Sequence, residues 1–284
     1  MKWLVVTLVG CGLGCGALPS GLEASGLPIV SVADDAGMVD APHFGRVLVR
    51  DAAMRGSGHL NDLSASFGVV DGCVRTHVGG CLVTRCDERS GFRVESVNVG
   101  ALTFSGVTFI GSSNPVVLER PPYRESSARP RQLWDGGEPV GVVAPSFDLV
   151  ARAPTPMTLT PPSCTTTSCL GHFERSQALA VDWTAGTVGR PVVRVSLERY
   201  VITPPATTFD LKHVGSFECE YPVDAVRARI ATEVLSTLPA LSDGGFDVSL
   251  IEVSRRTFAS TVTDAGVVAL EVEWVALSDT CTWN

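Results

Sequence analysis

Cysteines are the residues whose spacing says most about the chemistry of this 284-residue chain, which contains nine of them. Cys11 and Cys15 lie near the N-terminus, and the other seven are spread through the rest of the chain. Such cysteines form disulfides by default in an exported protein, whereas in a cytosolic protein they more often bind metal or react. The compartment therefore decides which chemistry is expected.

The first fifteen residues have the layout of an export signal, with Lys2 followed by an apolar run at 3–9 and then small residues. The apolar run is too short to cross a bilayer as a helix. A small residue before a cysteine is typical of bacterial lipoprotein signals, in which the cysteine is acylated and becomes the new N-terminus. We expect lipidation of Cys15, which gives a plausible signal length. Cys11 fits the sequence pattern better and is the alternative.

An ordinary secretory signal cleaved near Ala17 is the other interpretation. Each of these signals would direct the chain out of the cytoplasm. We expect an outer-membrane-anchored lipoprotein of a Gram-negative bacterium, or alternatively a periplasmic or secreted protein. Several acyl chains would anchor it firmly, since one chain alone binds a membrane only marginally. Residues 16–42 are rich in Gly, Ala, Ser and Asp and are expected to form a flexible tether.

One disulfide follows from local geometry. The segment from Cys73 to Cys86 has the pattern of a β-hairpin with Gly79-Gly80 at its tip. Counting outward from this two-residue turn places Cys73 opposite Cys86. Non-hydrogen-bonded pairs of this kind have Cα atoms about 4.5 Å apart, which is within the range of disulfides. We therefore predict a Cys73–Cys86 bond.

The remaining cysteines give weaker expectations. Cys164 and Cys169 flank a Thr/Ser-rich loop and could close it, and Cys219 with Cys281 would tie an internal strand to the C-terminus. Cys81 is then left over. It could stay unpaired, replace Cys86 in the hairpin bond, or pair with Cys11 or Cys15.

No metal site or cofactor is expected. Cys81, Cys86 and His77 loosely resemble a zinc cluster, but the spacing lacks a second ordered pair. Other acidic residues could in principle bind Ca²⁺, although turns or solvated loops explain them as well. These residues are Asp34, Asp35, Asp135, Glu138, Asp243 and Asp247.

Catalytic motifs are also missing from the sequence. None of the five histidines lies in an H-E-x-x-H motif, and neither a G-x-S-x-G elbow nor a P-loop occurs. The nearest approach to a catalytic group is His59 with Asp62 and Ser64, in a segment more typical of a turn. We expect no enzyme, and a hydrolase whose site forms only in three dimensions is the alternative.

Four tryptophans bear on a further alternative, a carbohydrate-binding module. Trp183 and Trp274 lie in alternating segments and are expected in the core. Trp134 lies in a turn and Trp283 near the C-terminus, so these two are the candidate ligand-binding residues.

Composition restricts the classes of function and fold. The net charge of −8 argues against a nucleic-acid binder, which needs a concentrated basic surface. A hydrophobic fraction of 45% with 18% charged residues excludes disorder as the main state. The 28 glycines and 18 prolines favour a fold with many turns.

Strand-like runs recur about every 10–15 residues from residue 46 onward. In the segment 268–274, for example, apolar residues alternate with two glutamates that share one face. One helix is predicted, from Thr232 as N-cap to Leu238, ended by Pro239. Residues 225–230 are expected to form a strand with Arg227 and Arg229 pointing outward.

These runs predict an all-β fold of two immunoglobulin-like antiparallel β-sandwich domains, stapled by disulfides. Pro161-Pro162 marks the boundary between them. The expected organisation is a signal peptide at 1–15, a tether at 16–42, and domains at 43–162 and 163–284.

Several segments resemble immunoglobulin-like modules of lipoproteins from myxobacteria and their relatives. The C-terminal half contributes the strand Leu179–Trp183, the Cys219 strand and the turn with its short helix. The N-terminal half contributes residues 63–67, 80–86 and 133–137. The resemblance implies an envelope location and a β fold, and it assigns no functional residues. We expect a binding or structural role in the cell envelope, with an envelope protein or polysaccharide as partner and membrane contact through the lipid anchor alone.

Overall fold

The computed structural model describes residues 29–34, 37–53, 58–70, 73–86, 93–94, 97–107, 115–129, 132–161, 172–202, 209–241 and 247–283. The first ten strands are β1 (Ile29–Asp34), β2 (Gly37–Ala53), β3 (His59–Phe67), β4 (Val69–Val70), β5 (Cys73–Val78), β6 (Cys81–Cys86), β7 (Arg93–Val94), β8 (Leu102–Ser105), β9 (Val116–Leu118) and β10 (Tyr123–Arg129). The next are β11 (Pro139–Ala144), β12 (Phe147–Arg152), β13 (His172–Phe173), β14 (Leu179–Asp182), β15 (Arg190–Ile202), β16 (Phe209–Glu220), β17 (Arg227–Ile230), β18 (Asp247–Thr263), β19 (Gly266–Thr280) and β20 (Thr282–Trp283). A short helix, α1 (Thr232–Leu235), precedes β18. The prediction of an all-β fold is confirmed.

Ten strands form one large sheet, which we call the main sheet. Its order is β10-β3-β2-β19-β18-β15-β16-β6-β5, and β1 pairs with the N-terminal part of β2. Neighbouring strands run antiparallel except β2 and β19, which are parallel. β18 and β19 lie at the centre of this order. They are long strands, and their paired residues run from Leu250 opposite Thr280 to Thr263 opposite Gly266.

The main sheet crosses the expected boundary at residue 162. β2 and β3 lie beside β19, and β6 pairs with β16. Strands from the two halves of the sequence therefore share one backbone hydrogen-bond network, and a division into two immunoglobulin-like sandwiches is not confirmed. These pairings join residues that are far apart in sequence, and no local pattern predicts them.

Alternation along each strand gives the main sheet two different faces. In β19, Val268, Leu270 and Val272 point to one side, which we call the core face. Glu271 and Glu273 point to the other side, which we call the charged face. The pattern of one strand is repeated in its neighbours, so that the apolar and charged rows continue across the sheet.

Two hydrophobic cores lie side by side on the core face. The first is closed by the four-stranded sheet β12-β11-β8-β9 and includes Phe67 and Phe104. The second is closed by β14, β17 and α1 and includes Phe217 and Leu235. Burial of each such side chain contributes about 1.5–3 kcal/mol. The architecture is thus sandwich-like, with one shared sheet and a second layer in two parts.

The predicted Cys73–Cys86 bond, the hairpin disulfide, is present. β5 and β6 pair in the expected register, with Cys73 opposite Cys86 and their Cα atoms 4.0 Å apart. Gly79 and Gly80 have φ angles of +56° and +80°. Both lie in the left-handed region that a type I′ hairpin turn requires, which explains the Gly-Gly pair.

The expectations for Cys81 and for a Cys219–Cys281 bond were wrong. Cys81 is bonded to Cys219, with a Cα distance of 4.3 Å, and we call this bond the cross-strand disulfide. Cys81 is therefore not the unpaired residue, and Cys219 is not bonded to Cys281. The reason is that β6 lies beside β16 in a register that places Cys81 directly opposite Cys219.

Cys281 is a free, buried cysteine at the end of β19, where its N–H donates to the carbonyl of Ser249. Cys11 and Cys15 lie outside the described residues, and so do Cys164 and Cys169.

Two local expectations need adjustment and one is confirmed. Residues 29–34 and 37–42 were assigned to the tether, but they form the β1–β2 hairpin, in which Asp34 pairs with Gly37. The helix is shorter than predicted and has Ala231, not Thr232, at its N-cap position. β17 is a strand as predicted, with exposed arginines alternating with buried Ala228 and Ile230.

Candidate functional site

The charged face carries five arginines and five glutamates on five adjacent strands. They are Arg46 and Arg50 on β2, Glu271 and Glu273 on β19, Glu252 and Arg256 on β18, Arg190 and Arg194 on β15, and Glu218 and Glu220 on β16. Strand pairing brings opposite charges together, since Arg50 lies opposite Glu273 and Arg194 lies opposite both Glu252 and Glu218. We call these ten side chains the ion-pair network.

Arg256 is the centre of the network. Its guanidinium pairs with Glu218, with Glu220 at 3.3 Å and with Glu271 at 3.4 Å, and it packs over the ring of Phe258. The residue is only 7% exposed. A buried charge is tolerated only when it is paired and hydrogen-bonded, and three carboxylates meet that requirement here.

The network perturbs the ionisation of its members. Burial alone would raise the pKa of Glu218, but the guanidinium groups of Arg256 and Arg194 outweigh it and hold that pKa well below its usual range. Burial likewise opposes ionisation of Glu271, and Arg46 and Arg256 again lower its pKa. These two carboxylates therefore stay charged at a lower pH than an ordinary glutamate.

Further contacts extend the network to its edges. Arg194 donates from Nε to Glu218 at 2.8 Å and from Nη1 to Glu252 at 3.3 Å. Arg50 pairs with Glu252 and, at 3.5 Å, with Glu273. Arg46 donates from Nε to Glu271 at 2.6 Å. Because five positive and five negative groups interleave at these distances, the network has no net charge and does not attract ions of either sign over a distance.

A cavity of about 380 Å³ opens at one end of the charged face. One wall is charged and contains Arg190, Glu218, Glu220 and Arg256. The rest of the lining comes from the β5–β6 hairpin and from the segment that follows β16, and Leu82 lies beside Glu218 in the strand pairing. These residues are His77, Gly80, Leu82, Tyr221, Pro222 and Val223.

The cross-strand disulfide lies directly beneath this cavity. Cys219 stands between Glu218 and Glu220 on β16, and Cys81 stands between Gly80 and Leu82. A covalent bond thus joins two of the strands that line the cavity. At the cavity wall, Arg190 donates from Nη1 to Glu220 at 2.9 Å.

The candidate ligand-binding tryptophans are not at the surface. Trp134 and Trp283 are each 4% exposed. Trp283 stacks on Phe173 with ring centroids 5.6 Å apart and donates from Nε1 to the carbonyl of Pro239. These two candidates are unsuited to ligand binding because the parallel β13–β20 pair and the first core enclose their rings. Trp183 and Trp274 lie in the core as predicted.

The group of His59, Asp62 and Ser64 does not assemble. Alternation along β3 points His59 to the core face and the other two residues to the charged face. His59 Nδ1 instead lies 2.7 Å from Oδ1 of buried Asp51, which also accepts a hydrogen bond from the N–H of Leu133. No sequence pattern marks Asp51 as the partner of His59, since only the pairing of β2 with β3 brings the two residues together.

No metal-binding group of three or more His, Cys, Asp or Glu residues occurs in the described part of the chain. Cys81 and Cys86 are in disulfides and offer no thiolate to zinc. Glu138 accepts hydrogen bonds from the N–H groups of Asp135 and Gly136, which is a turn contact. Asp35 and Asp243 lie outside the described residues.

No protein-family model, curated protein or solved structure matches the chain. Within the described residues, no helix has the length and apolar character needed to cross a membrane. The disulfides indicate an oxidising environment outside the cytoplasm. The fold and its cross-links thus define an all-β, disulfide-bonded protein, and the resemblance to lipoproteins stays a prediction.

Proposed function

We propose that this protein is an exported component of the cell envelope, anchored through a lipid on Cys15 or Cys11, with a binding or structural role. A relation of its two core regions to immunoglobulin-like modules is part of the same proposal. The N-terminal signal pattern supports export and lipidation. The two disulfides are the cross-links expected of a protein in that compartment.

The observation that carries a binding role is the cavity on the charged face. It combines four charged side chains with apolar lining residues such as Leu82 and Val223, and ligand sites commonly combine polar and apolar groups in this way. All four charged residues take part in ion pairs, and this favours recognition over catalysis.

The test of this proposal is the intact mass of the protein taken from its native membrane fraction. The expected mass is that of the chain starting at Cys15 or Cys11, plus acyl groups. A chain that retains residues 1–10 and carries no lipid would contradict both export by this signal and anchoring.

A hydrolase is the second candidate, and the contact between His59 and Asp51 favours it. With the proton on Nδ1 shared with Asp51, Nε2 of His59 can accept a proton, as a general base must. Hydrolysis of p-nitrophenyl acetate by the wild type and by His59→Gln tests it, with His77→Gln as the control. A general base predicts a loss of about 100-fold or more in His59→Gln alone. Equal rates in all three proteins would remove this candidate.

A further inference from the structure

We propose that the cavity on the charged face binds a neutral polyhydroxylated ligand, that is, a saccharide of one or two rings. The inference rests on the proposed binding role and names the class of ligand. It places carbohydrate recognition at polar, paired side chains and not at exposed tryptophans.

The charge pattern excludes strongly ionic ligands. An anion in the cavity meets the carboxylates of Glu218 and Glu220, and a cation meets the guanidinium groups of Arg190 and Arg256. These groups are already paired with each other across about 3 Å, so an ionic ligand would have to break existing ion pairs. A neutral ligand leaves the pairing intact.

Hydroxyl groups match what the charged wall still offers. A hydroxyl both donates and accepts, so neighbouring hydroxyls can accept from a guanidinium and donate to a carboxylate. Arg190 is 42% exposed and uses Nη1 for Glu220, which leaves further N–H groups at the cavity. Each oxygen of Glu220 has a second lone pair in addition to the one used by Arg190 or Arg256.

The apolar lining residues suit the other side of a sugar ring. Leu82 lies beside Glu218 on the same face of the main sheet, and Pro222 and Val223 follow β16 at the cavity. A pyranose has one face of C–H groups and a rim of hydroxyls, so it can contact the apolar and the charged residues at once. The volume of about 380 Å³ is near the lower end of the usual range of about 300–1,000 Å³ for ligand sites. That size admits a mono- or disaccharide.

The cross-strand disulfide preorganises this arrangement. It joins the residue between Glu218 and Glu220 to the residue beside Leu82, and thus fixes β16 and β6 relative to each other. A rigid site loses less conformational entropy when a ligand binds. A modest number of hydrogen bonds is therefore enough for weak but specific binding.

The test compares three monosaccharides that share a ring and differ in charge. N-acetylglucosamine is neutral, glucosamine is cationic and glucuronate is anionic. Each is titrated into the isotopically labelled full-length mature protein and followed by NMR. We expect N-acetylglucosamine to bind at least about fivefold more tightly than the charged sugars. Its Kd should change by less than about twofold between low and high salt, since no net charge is involved.

Two variants locate the binding. Val223→Trp fills the cavity and leaves every charge in place, and we expect it to weaken N-acetylglucosamine by about tenfold or more. Val150→Trp, at a site 60% exposed on β12, is the matched control and should bind normally. Arg190→Gln should weaken binding about three- to tenfold, whereas Arg124→Gln, at an exposed edge of the main sheet, should not.

Three results would overturn the inference: salt-dependent binding of glucuronate or glucosamine alone, equal effects of the two tryptophan variants, or no binding of any sugar at about 10 mM. Circular dichroism of each variant shows whether it is folded. If Val223→Trp does not fold, Arg190→Gln still tests the site. The mass measurement on the native membrane fraction is independent of sugar binding. The envelope assignment can therefore stand when the saccharide inference fails.

Discussion

Replacing Arg256 by methionine removes the charge at the centre of the ion-pair network and keeps most of the side-chain length. Three glutamates lose a partner, and the nearly buried Glu271 keeps only Arg46. Breaking a buried ion pair from one side costs about 3–5 kcal/mol, because a charge is left uncompensated. We therefore expect Arg256→Met to lower the free energy of unfolding by about that amount.

The matched control is Arg190→Met on the same face. Arg190 has one carboxylate partner, Glu220, and is partly exposed to solvent. Exposed ion pairs contribute about 0–1 kcal/mol, and we expect a loss in that range. The two variants remove the same charge from the same sheet face, so the difference between them measures the combined effect of burial and of the number of carboxylate partners.

The effect should also depend on pH. In the wild type, Glu218 and Glu271 have pKa values below the usual 4.5, despite burial that acts in the opposite direction. Their contribution to stability is present above pH 4.5 and is lost as the pH falls toward the pKa of the folded state. Without Arg256 these pKa values rise, so the variant loses less stability on acidification, and its difference from the wild type shrinks between pH 7 and about pH 4.

Urea unfolding with intact disulfides, followed by tryptophan fluorescence at the two pH values, measures these quantities. The slope of free energy against urea should be the same for all proteins, as expected for equal surface exposure on unfolding. If Arg256→Met lowers the free energy of unfolding by less than about 1 kcal/mol, or by the same amount as Arg190→Met, the ion pairs of Arg256 contribute no more than exposed ones do.

Three further predictions concern the cross-links and the core. Replacing the hairpin disulfide by two serines should cost about 3 kcal/mol and replacing the cross-strand disulfide about 5 kcal/mol, because the loops they close span 13 and 138 residues; equal losses in urea unfolding would contradict this. Burial raises the pKa of Cys281 to about 12, so iodoacetamide at pH 8 should modify it only after unfolding, and rapid modification of the native protein would contradict its burial. Trp283→Ala should lower stability by about 3–5 kcal/mol in the same urea assay and leave the binding of N-acetylglucosamine unchanged; wild-type stability would show that the ring is not packed.

Local patterns predicted the local part of the fold. The hairpin register follows from two glycines and the alternation around them, and so does the Cys73–Cys86 bond. Alternation also identified Trp183 and Trp274 as core residues, because a two-residue period states which side chains share a face.

Pairings between distant strands could not be predicted in this way. Cys81 meets Cys219 only because β6 lies beside β16, and Asp51 meets His59 only because β2 lies beside β3. Alternation in the sequence indicated that two glutamates of β19 share a face. It did not indicate that arginines of β2, β15 and β18 lie beside them on that face, since this depends on the strand order.

Solvent exposure of single residues was equally hard to predict. Trp283 was a candidate ligand-binding residue because it lies near the C-terminus, but its side chain is buried. A two-residue parallel pairing with β13 is enough to cover it, and such a short element leaves no periodic signal in the sequence.

We propose an exported protein whose main sheet is cross-linked beneath the cavity on its charged face. Peptide mapping by mass spectrometry of unreduced protein from the native membrane fraction tests this proposal. We expect linked peptides for Cys73–Cys86 and for Cys81–Cys219, with Cys281 unlinked. A Cys219–Cys281 link would contradict the pairing of β6 with β16, and fully reduced cysteines would contradict export.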